Sequence, residues 1–284
     1  MALGEGAPSV GMLLREWRER RNLTQRDVAS QSAVSARHLS FIETGRARPS
    51  REMVVHLAER LDVPLRERNR LLLAAGFAPL YGERSLHDAE MTPVREALER
   101  FLTAHEPYPA LVVDRHWTVV ARNSGVGYVT QDVAPALRAP PVNALRIALH
   151  PEGLAPRIRN LAEWSGYLLA QLRREIEATR DPDLEALYDE LVAYPGVNTA
   201  PHDTNPPDPS DIMLMHELRL DDKELALFCT FTTFGTARDL TLAELTIAAF
   251  YPADAQTAEV LAAYAAQTVS EEPRTSASPS GVRT

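Results

Sequence analysis

A short predicted helix carries side chains that suit contact with DNA bases. Ala36, Arg37 and Ser40 face away from Leu39 and Ile42, which form the apolar side of the helix. An arginine guanidinium can donate two parallel hydrogen bonds to guanine, a serine hydroxyl can bond to any base, and an alanine methyl can contact the thymine methyl. The pattern therefore predicts base contacts in the major groove from Ala36, Arg37 and Ser40. A purely solvated surface role for Arg37 is the alternative.

Polar groups that follow this helix suit contact with DNA phosphates. Arg46 and Arg48 come directly after the helix ends, and Ser50 caps the next one. Arginine side chains and helix N-termini are common partners of phosphate groups. We therefore predict phosphate contacts from Arg46, Arg48 and Ser50. Pairing of the two arginines with Glu43 or Glu52 is the alternative.

The sequence contains no pattern that is typical of an enzyme. Its eight histidines and one cysteine show no metal-ligand spacing, and no HExxH pattern occurs. Gly125 and Gly127 follow a predicted strand but lack the third glycine of a dinucleotide-binding turn. His202 and Asp203 lie in a proline-rich loop, and the acidic stretch 181–190 is predicted helix surface. We therefore predict no enzymatic activity, no cofactor and no bound metal.

Charge is unevenly divided along the chain. The 284 residues carry a net charge of −9, whereas the first 76 contain 13 arginines against 9 acidic residues. This predicts that any nucleic-acid contact is confined to the first quarter, although chance composition also explains the excess. The single cysteine, Cys229, excludes a disulfide scaffold and suits a reducing compartment. Because the sequence has neither a long apolar run nor a secretion signal, we predict a cytoplasmic, nucleoid-associated protein without a membrane partner.

Five short helices are predicted in the first segment. They cover residues 10–21, 25–32, 36–44, about 50–61 and 65–75. Thr24 and Ser35 are suitable N-caps for the second and third helices, and Gly45 suits the left-handed residue that ends the third. The short turn between the second and third helices predicts a helix-turn-helix arrangement.

Residues 13–63 resemble the XRE family of lambda-repressor-like DNA-binding domains. The motif is carried by Gln25 at the start of helix two, Ala29 at the helix crossing, Val34-Ser35 in the turn, and Ile42-Glu43-x-Gly45 at the end of helix three. The resemblance implies sequence-specific DNA binding in which Thr24 and Gln25 contact a phosphate. Because one such module makes few contacts, we expect a homodimer on a palindromic operator in double-stranded DNA. A protein-interaction adaptor that does not read DNA is the alternative.

The rest of the chain predicts a second, mixed domain. Its predicted strands cover residues 110–114, 118–123, 212–220, 224–234 and 244–251, and its main helices cover 157–179, 181–193 and 255–266. We predict a flexible N-terminus (1–9), a helix-turn-helix domain (10–80), a linker (81–92), the mixed domain (93–268), which contains the proline-rich loop 195–211, and a disordered tail (269–284). The predicted fold is an all-α domain of five helices followed by an α+β, PAS-like domain with an antiparallel sheet of about five strands and packed helices.

Three segments of this second domain resemble the MmyB-like ligand-binding domain that follows an XRE head in many regulators. They are HEPYPALVVDRHWTVVARNSG, PPVNALRIALHPEGLAPRIRNLAEW and FGTARDLTLAELTIAAFYPADAQTAEVL. The resemblance implies a one-component transcription regulator whose PAS-like domain holds a small, largely apolar molecule, with fatty acids as the candidate class. A regulator whose C-terminal domain only dimerises is the alternative.

A ligand pocket is predicted between the sheet and the long helix. Its predicted lining is Trp164, Leu168, His216, Phe228, Phe231 and Phe234. Plain core packing is the alternative for these residues. His216 stands out because it interrupts an otherwise apolar strand face, where it is either a hydrogen-bonded core histidine or a polar anchor for a ligand.

Overall fold

The computed structural model of the protein describes residues 8–32, 34–198 and 213–271. The predictions for residues 1–7, for most of the proline-rich loop and for the last 13 residues lie outside the described residues. The chain divides into two compact units. The N-terminal unit comprises the residues up to Asp88 together with Phe234–Glu244, and the C-terminal unit comprises Ala89–Thr233 together with the residues from Leu245 onward.

The N-terminal unit confirms the five predicted helices. They are α1 (Val10–Arg20), α2 (Gln25–Gln31), α3 (Ala36–Glu43), α4 (Arg51–Arg60) and α5 (Leu65–Ala74). The side chains of Ser9, Thr24, Ser35 and Ser50 each accept a hydrogen bond from a backbone N–H in the first turn of the helix that follows. Such a cap satisfies a donor that the helix cannot pair itself, which explains why these short segments begin where they do.

An apolar core holds these helices together. Leu14 of α1, Leu39 and Ile42 of α3, and Leu57 of α4 are almost fully buried. Gly11 of α1 lies so close to the end of α3 that a Cβ atom there would collide with the carbonyl oxygen of Ile42. The glycine therefore allows α1 to pack directly against the helix that carries the predicted base contacts.

The C-terminal unit is built on one antiparallel sheet. Its strands are β1 (Ala110–Val113), β2 (Val119–Arg122), β3 (His216–Leu220), β4 (Lys223–Thr233) and β5 (Thr246–Pro252). They lie in the order β2-β1-β5-β4-β3, and every neighbouring pair is antiparallel. The predicted fold of about five antiparallel strands with packed helices is therefore confirmed. Within the described residues, β3 begins at His216, later than the predicted residue 212.

Helices supply the other wall of this unit. They are α6 (Thr92–Ala104), α7 (Ser124–Val129), α8 (Pro135–Arg138), α9 (Ala144–Leu149), α10 (Leu161–Thr179), α11 (Pro182–Val192) and α13 (Ala255–Glu271), while the short α12 (Leu240–Ala243) lies in the segment that packs with the N-terminal unit. The long helix α10 buries Trp164, Leu168 and Leu172 in the same apolar core as Leu218 and Leu227 of the sheet. The core thus lies between α10 and one face of the sheet.

The segment between β4 and β5 departs from the predicted domain division. Phe234–Glu244 groups with the N-terminal unit, although its sequence position placed it in the second domain. Arg66 pairs with Glu244 at 2.7 Å, and Arg84 pairs with Asp239 at 3.0 Å. These partners are more than 150 residues apart, so local periodicity could not reveal them.

Candidate nucleic-acid interface and ligand cavity

Helix α3 presents the predicted base-contacting residues at the protein surface. Its N-cap, Ser35, accepts a hydrogen bond from the backbone N–H of His38 at 3.1 Å. With Leu39 buried on the inner side, Arg37 is exposed, and Ala36 and Ser40 are half-buried. The three side chains therefore share the solvent-facing side of the helix, as the spacing predicted. His38, the neighbour of Arg37 in the sequence, is also exposed.

An open cleft joins this face of α3 to the start of α2. It is lined by Arg18, Asn22, Leu23, Thr24, Gln25, Arg26, Ala36, Arg37, Ser40 and Phe41. The cleft brings the predicted phosphate contacts Thr24 and Gln25 beside the predicted base contacts. Arg26 also lines it, a residue that sequence reasoning missed although it directly follows Gln25.

A buried ion pair fixes the geometry beneath this cleft. The Arg18 guanidinium donates two hydrogen bonds to the Glu43 carboxylate, at 2.7 and 2.9 Å, and the Glu43 side chain is only 2% exposed. The Gln25 amide donates to the same carboxylate at 2.9 Å. Glu43 thereby connects α1, the start of α2 and the end of α3. Gln25 is held by this bond, so only its remaining amide groups are open to the predicted phosphate contact.

Three exposed arginines on α3 or shortly after it carry positive charge that no ion pair among the described residues neutralises. In the part of the chain that the structure describes, no ion pair involves Arg37, Arg46 or Arg48. Pairing of Arg46 or Arg48 with Glu43 is therefore not observed, since Glu43 is bound to Arg18. The Arg37 guanidinium lies 5.4 Å from the centroid of the Phe41 ring, a cation–π contact that orients the side chain.

The remaining predicted phosphate contacts are also helix caps. The Thr24 hydroxyl donates to the Asp27 carboxylate at 2.6 Å and accepts from the Asp27 backbone N–H at 3.2 Å. The Ser50 hydroxyl oxygen accepts from the Met53 backbone N–H at 3.2 Å, and Ser50 is exposed. Both residues therefore mark helix N-termini, where free backbone N–H groups and the helix dipole favour an anion, and at α2 the Asp27 carboxylate already lies there.

A cavity of about 330 Å³ lies in the core of the C-terminal unit. The structure places four of the six predicted pocket residues on its wall: Trp164, Leu168, His216 and Phe231. Most of the remaining lining comes from β1 and β2, from the helices α7 and α9, and from β5. The strands β1, β2 and β5 were predicted as elements, but none of these segments was predicted as a pocket wall.

Phe228 and Phe234 do not line this cavity. Phe231 and Phe228 are three positions apart on β4, so the alternation of a strand sends their side chains to opposite faces. The Phe228 ring instead stacks on Tyr251, with centroids 5.0 Å apart. Phe234 follows the end of β4 and belongs to the N-terminal unit. The predicted pocket is corrected accordingly.

Two polar residues in the cavity wall have an unusual environment. The rings of His216 and Trp164 stack almost in parallel, with centroids 4.5 Å apart and an interplanar angle of 2°. Burial lowers the pKa of His216 to about 4, so its ring is neutral near pH 7. Among the described residues, neither ring nitrogen of His216 nor the indole nitrogen of Trp164 has a hydrogen-bond partner. The alternative of a hydrogen-bonded core histidine is therefore not what the structure contains.

A second tryptophan in the cavity wall, Trp117, has a hydrogen-bond partner for its indole nitrogen. The Trp117 indole nitrogen donates to the Glu175 carboxylate at 2.8 Å. Burial raises the pKa of Glu175, and the hydrogen bond from Trp117 opposes that shift. Trp117 directly precedes the second predicted strand, and nothing in its local spacing connects it to a helix residue 58 positions later.

One group of possible metal ligands comes together elsewhere in this unit. Ligand atoms of His116, Asp181 and Asp183 lie within 4.8 Å of one another. However, Arg115 pairs with Asp181 at 2.9 Å and His116 bonds to it at 3.0 Å, so that carboxylate already has two partners. This arrangement is accounted for as an ion-pair cluster.

Comparison with known families agrees with the two units. Residues 94–263 match the family described as the MmyB-like transcription regulator ligand binding domain, which covers more than half of the chain. The chain belongs to the MmyB-like transcription regulators. Residues 9–71 of this MmyB-like chain match a helix-turn-helix domain. The resemblance to a helix-turn-helix head followed by an MmyB-like domain is thus confirmed.

Individual relatives cover less of the sequence. The MmyB-like chain is 32% identical over 108 residues to uncharacterised HTH-type transcriptional regulators of Mycobacterium tuberculosis and Mycobacterium bovis. The match spans 38% of this chain and 38% of those proteins. A solved RNA-binding light-oxygen-voltage receptor aligns over 93% of this chain and 62% of its own, at 14% identity and a TM-score of 0.24, which is too low to support an argument. Among the described residues, no helix has the length and apolarity to span a membrane.

Proposed function

We propose that this MmyB-like chain is a sequence-specific DNA-binding transcription regulator. In this proposal it acts in the cytoplasm as a homodimer on a palindromic operator, and a small apolar molecule, with fatty acids as the candidate class, controls it. The exposed position of Arg37 on α3, beside Ala36 and Ser40, is the observation that carries the proposal. The guanidinium of this arginine lies over the ring of the half-buried Phe41.

The dimensions of α3 support the proposal. An eight-residue helix is roughly 12 Å long, and a helix is narrow enough to enter the major groove, which is about 12 Å wide. With α3 in the groove, Arg37 and Ser40 face base edges near the start of the helix. The Gln25 amide at the start of α2 donates to the Glu43 carboxylate at the end of α3, and Arg18 of α1 binds the same carboxylate, so these bonds help to keep the spacing of the phosphate and base contacts constant.

Charge supports binding to DNA but limits the affinity of one head. Arg37, Arg46 and Arg48 are exposed and have no ion-pair partner among the described residues. Each neutralised phosphate contributes ~0.9 to the slope of log K against log salt, so a few contacts give weak binding. Two heads on one operator add their contacts, and two-fold symmetry places the half-sites about one helical turn apart.

The cavity supports control by a small molecule. Its volume of about 330 Å³ falls at the lower end of the range of ~300–1,000 Å³ that is typical of ligand sites. Its wall is mostly apolar, so burial of an alkyl chain contributes ~0.8 kcal/mol per methylene. A ligand that prefers one arrangement of the dimer needs a coupling free energy of about 1–3 kcal/mol to change operator affinity 5- to 150-fold.

The DNA-binding proposal is tested by first finding the operator and then separating base from phosphate contacts. Genomic footprinting with the purified protein gives the operator. We expect Arg37→Ala to weaken operator binding by about 1–3 kcal/mol and to leave binding to random DNA nearly unchanged. The matched variant Arg46→Ala should weaken binding to both DNAs to the same extent and reduce the salt slope by ~0.9. Equal losses on both DNAs for Arg37→Ala would favour the adaptor alternative.

The ligand proposal is tested on the purified full-length protein. Native mass spectrometry should show a bound molecule of a few hundred daltons on each protomer. Phe231→Ala removes part of the cavity wall and should change the retention of that molecule, whereas Phe228→Ala, on the opposite face of β4, should not. A ligand-free dimer that shows no thermal shift with any lipid would favour a C-terminal domain that only dimerises.

A further inference from the structure

The polar atoms of the cavity wall are unequally satisfied. The Trp117 indole nitrogen donates to Glu175, and the Thr130 hydroxyl donates to a backbone carbonyl of its own helix at 2.7 Å. His216 and Trp164 are 5% and 3% exposed, yet their ring nitrogens have no partner among the described residues. Because buried polar groups in proteins are almost always hydrogen-bonded, these nitrogens mark a place where a ligand group would complete the bonding.

The chemistry of these nitrogens restricts what that group can be. The burial that lowers the pKa of His216 to about 4 keeps its ring neutral, so one nitrogen donates and the other accepts. The Trp164 indole nitrogen only donates. A hydroxyl group, which both accepts and donates, matches this set. An ionised carboxylate would lose its hydration without gaining a cation, and this disfavours it at the buried end.

The positively charged residues of the cavity lining are exposed, in contrast to the buried His216 and Trp164. Arg122 and Arg138 line the same cavity, and both are exposed at its rim. Within the described residues, no ion pair involves either arginine. An anionic group at the rim would remain partly hydrated and would still be attracted by both guanidinium groups. The cavity is therefore polar and uncharged at its buried end and cationic at its opening.

We propose that the cavity binds an amphiphile with two different polar ends. Its uncharged end, best a hydroxyl, bonds to the nitrogens of Trp164 and His216, and its carboxylate lies at the rim with Arg122 and Arg138. At ~30 Å³ for each water-sized group, a volume of about 330 Å³ accommodates roughly eleven non-hydrogen atoms, which corresponds to about ten carbons and a hydroxyl oxygen with the two carboxylate oxygens outside at the rim. The predicted class is thus a medium-chain fatty acid that carries a hydroxyl group at or near its far end. This inference rests on the proposed ligand-sensing function.

The test compares four ten-carbon probes on the full-length protein at pH 7.5 by isothermal titration calorimetry. They are 10-hydroxydecanoic acid, decanoic acid, decan-1-ol and decanedioic acid. We expect 10-hydroxydecanoate to bind about 5- to 100-fold more tightly than decanoate, because only the former satisfies the buried nitrogens. Decanedioate should bind more weakly than 10-hydroxydecanoate, because one of its two charges would have to be buried.

Variants assign the preference to particular atoms. His216→Phe keeps a ring against Trp164 but removes both nitrogens, and it should reduce the preference for the hydroxyl probe to within about twofold. Trp164→Phe removes the indole donor and gives a second, independent test if the first variant does not fold. Arg122→Gln combined with Arg138→Gln should weaken both monocarboxylates but not decan-1-ol. Phe228→Leu, away from the cavity, is the control and should leave all four affinities unchanged.

The outcomes separate this inference from the proposed function. If decanoate binds and changes operator affinity but 10-hydroxydecanoate has no advantage, the two-ended ligand is wrong and ligand sensing stands. Equal affinity for decanedioate and 10-hydroxydecanoate, or an unchanged preference in both ring variants, also overturns it. If none of the four probes binds at millimolar concentration, both this inference and a fatty-acid effector are contradicted.

Discussion

The neutral, buried His216 makes the stability of the C-terminal unit depend on pH. The pKa of this ring falls from its ordinary value of 6.5 to about 4 in the folded protein. The folded state takes up the proton less readily than the unfolded chain. The contribution of the neutral His216 ring to the free energy of unfolding is therefore complete above pH 6.5. That contribution is lost as the pH falls toward 4. Integrating the difference in bound protons between the unfolded and folded states over pH, with these two pKa values, lowers the free energy of unfolding by about 2 kcal/mol at pH 5 relative to pH 7.5.

The prediction is measured as a difference between two proteins. Wild type and His216→Phe are unfolded with urea at several pH values between 5 and 7.5, both in a Trp17→Phe background. The two remaining tryptophans, Trp117 and Trp164, then report on the C-terminal unit alone. All other titrating groups are common to both proteins, so their contributions cancel in the difference. The free energy of unfolding of the wild type should fall by about 2 kcal/mol more than that of the variant between pH 7.5 and pH 5.

Parallel pH profiles for the two proteins would refute this reasoning. They would mean that His216 titrates alike in the folded and unfolded chains, as a hydrated or hydrogen-bonded histidine does. In that case the nitrogens are already satisfied in solution, and the assignment of an uncharged ligand group to them loses its basis. A profile that falls more steeply in the variant would have the wrong sign and would contradict the burial of a neutral ring.

Three further predictions concern other buried groups. Glu43→Gln removes the buried carboxylate from Arg18, which keeps only the exposed Glu19 at 3.5 Å as an ion-pair partner among the described residues, and it should destabilise the N-terminal unit by about 3–5 kcal/mol in thermal or urea unfolding, whereas a loss below ~1 kcal/mol would show that the pair is hydrated. Gly125→Ala should strongly reduce the stability of the C-terminal unit, because its Cβ would lie 2.6 Å from a backbone carbonyl oxygen. Gly127→Ala, two residues later, meets only an arginine side chain and should be tolerated, so equal effects would contradict the packing argument. Packing around the partly buried Cys229 raises the pKa of its thiol to about 12, so iodoacetamide at pH 8 should label the folded protein much more slowly than the unfolded protein, and equal labelling rates would disprove this.

The helices of the N-terminal unit could be predicted closely because their signals are local. Thr24 and Ser35 satisfy backbone donors within three residues, and the apolar side of α3 is set by Leu39 and Ile42. Each of these relations joins residues within one turn of helix. The exposure of Arg37 follows from the same short periodicity. The strands of the second unit also followed from local patterns, although their bounds moved by a few residues.

The prediction of the cavity was less complete for two different reasons. Phe228 was misplaced although the strand alternation that excludes it is present in the sequence, since Phe231 on the same strand faces the cavity. The unsatisfied state of His216 is a different case. Whether a buried ring finds a partner depends on every segment packed around it, and its neighbour Trp164 comes from a helix that begins 55 residues earlier.

The sequence alone determined where the short helices of the N-terminal unit begin and end, which side of α3 is polar, and which family the chain resembles. Packing between distant segments decided the remaining features. Glu43 joins three helices through Arg18 and Gln25, and Phe234–Glu244 packs with the first unit. The physical reason is one of range: capping and periodicity act over a few residues, while a cavity, a buried ion pair or an unpaired nitrogen exists only after the chain has closed its long loops.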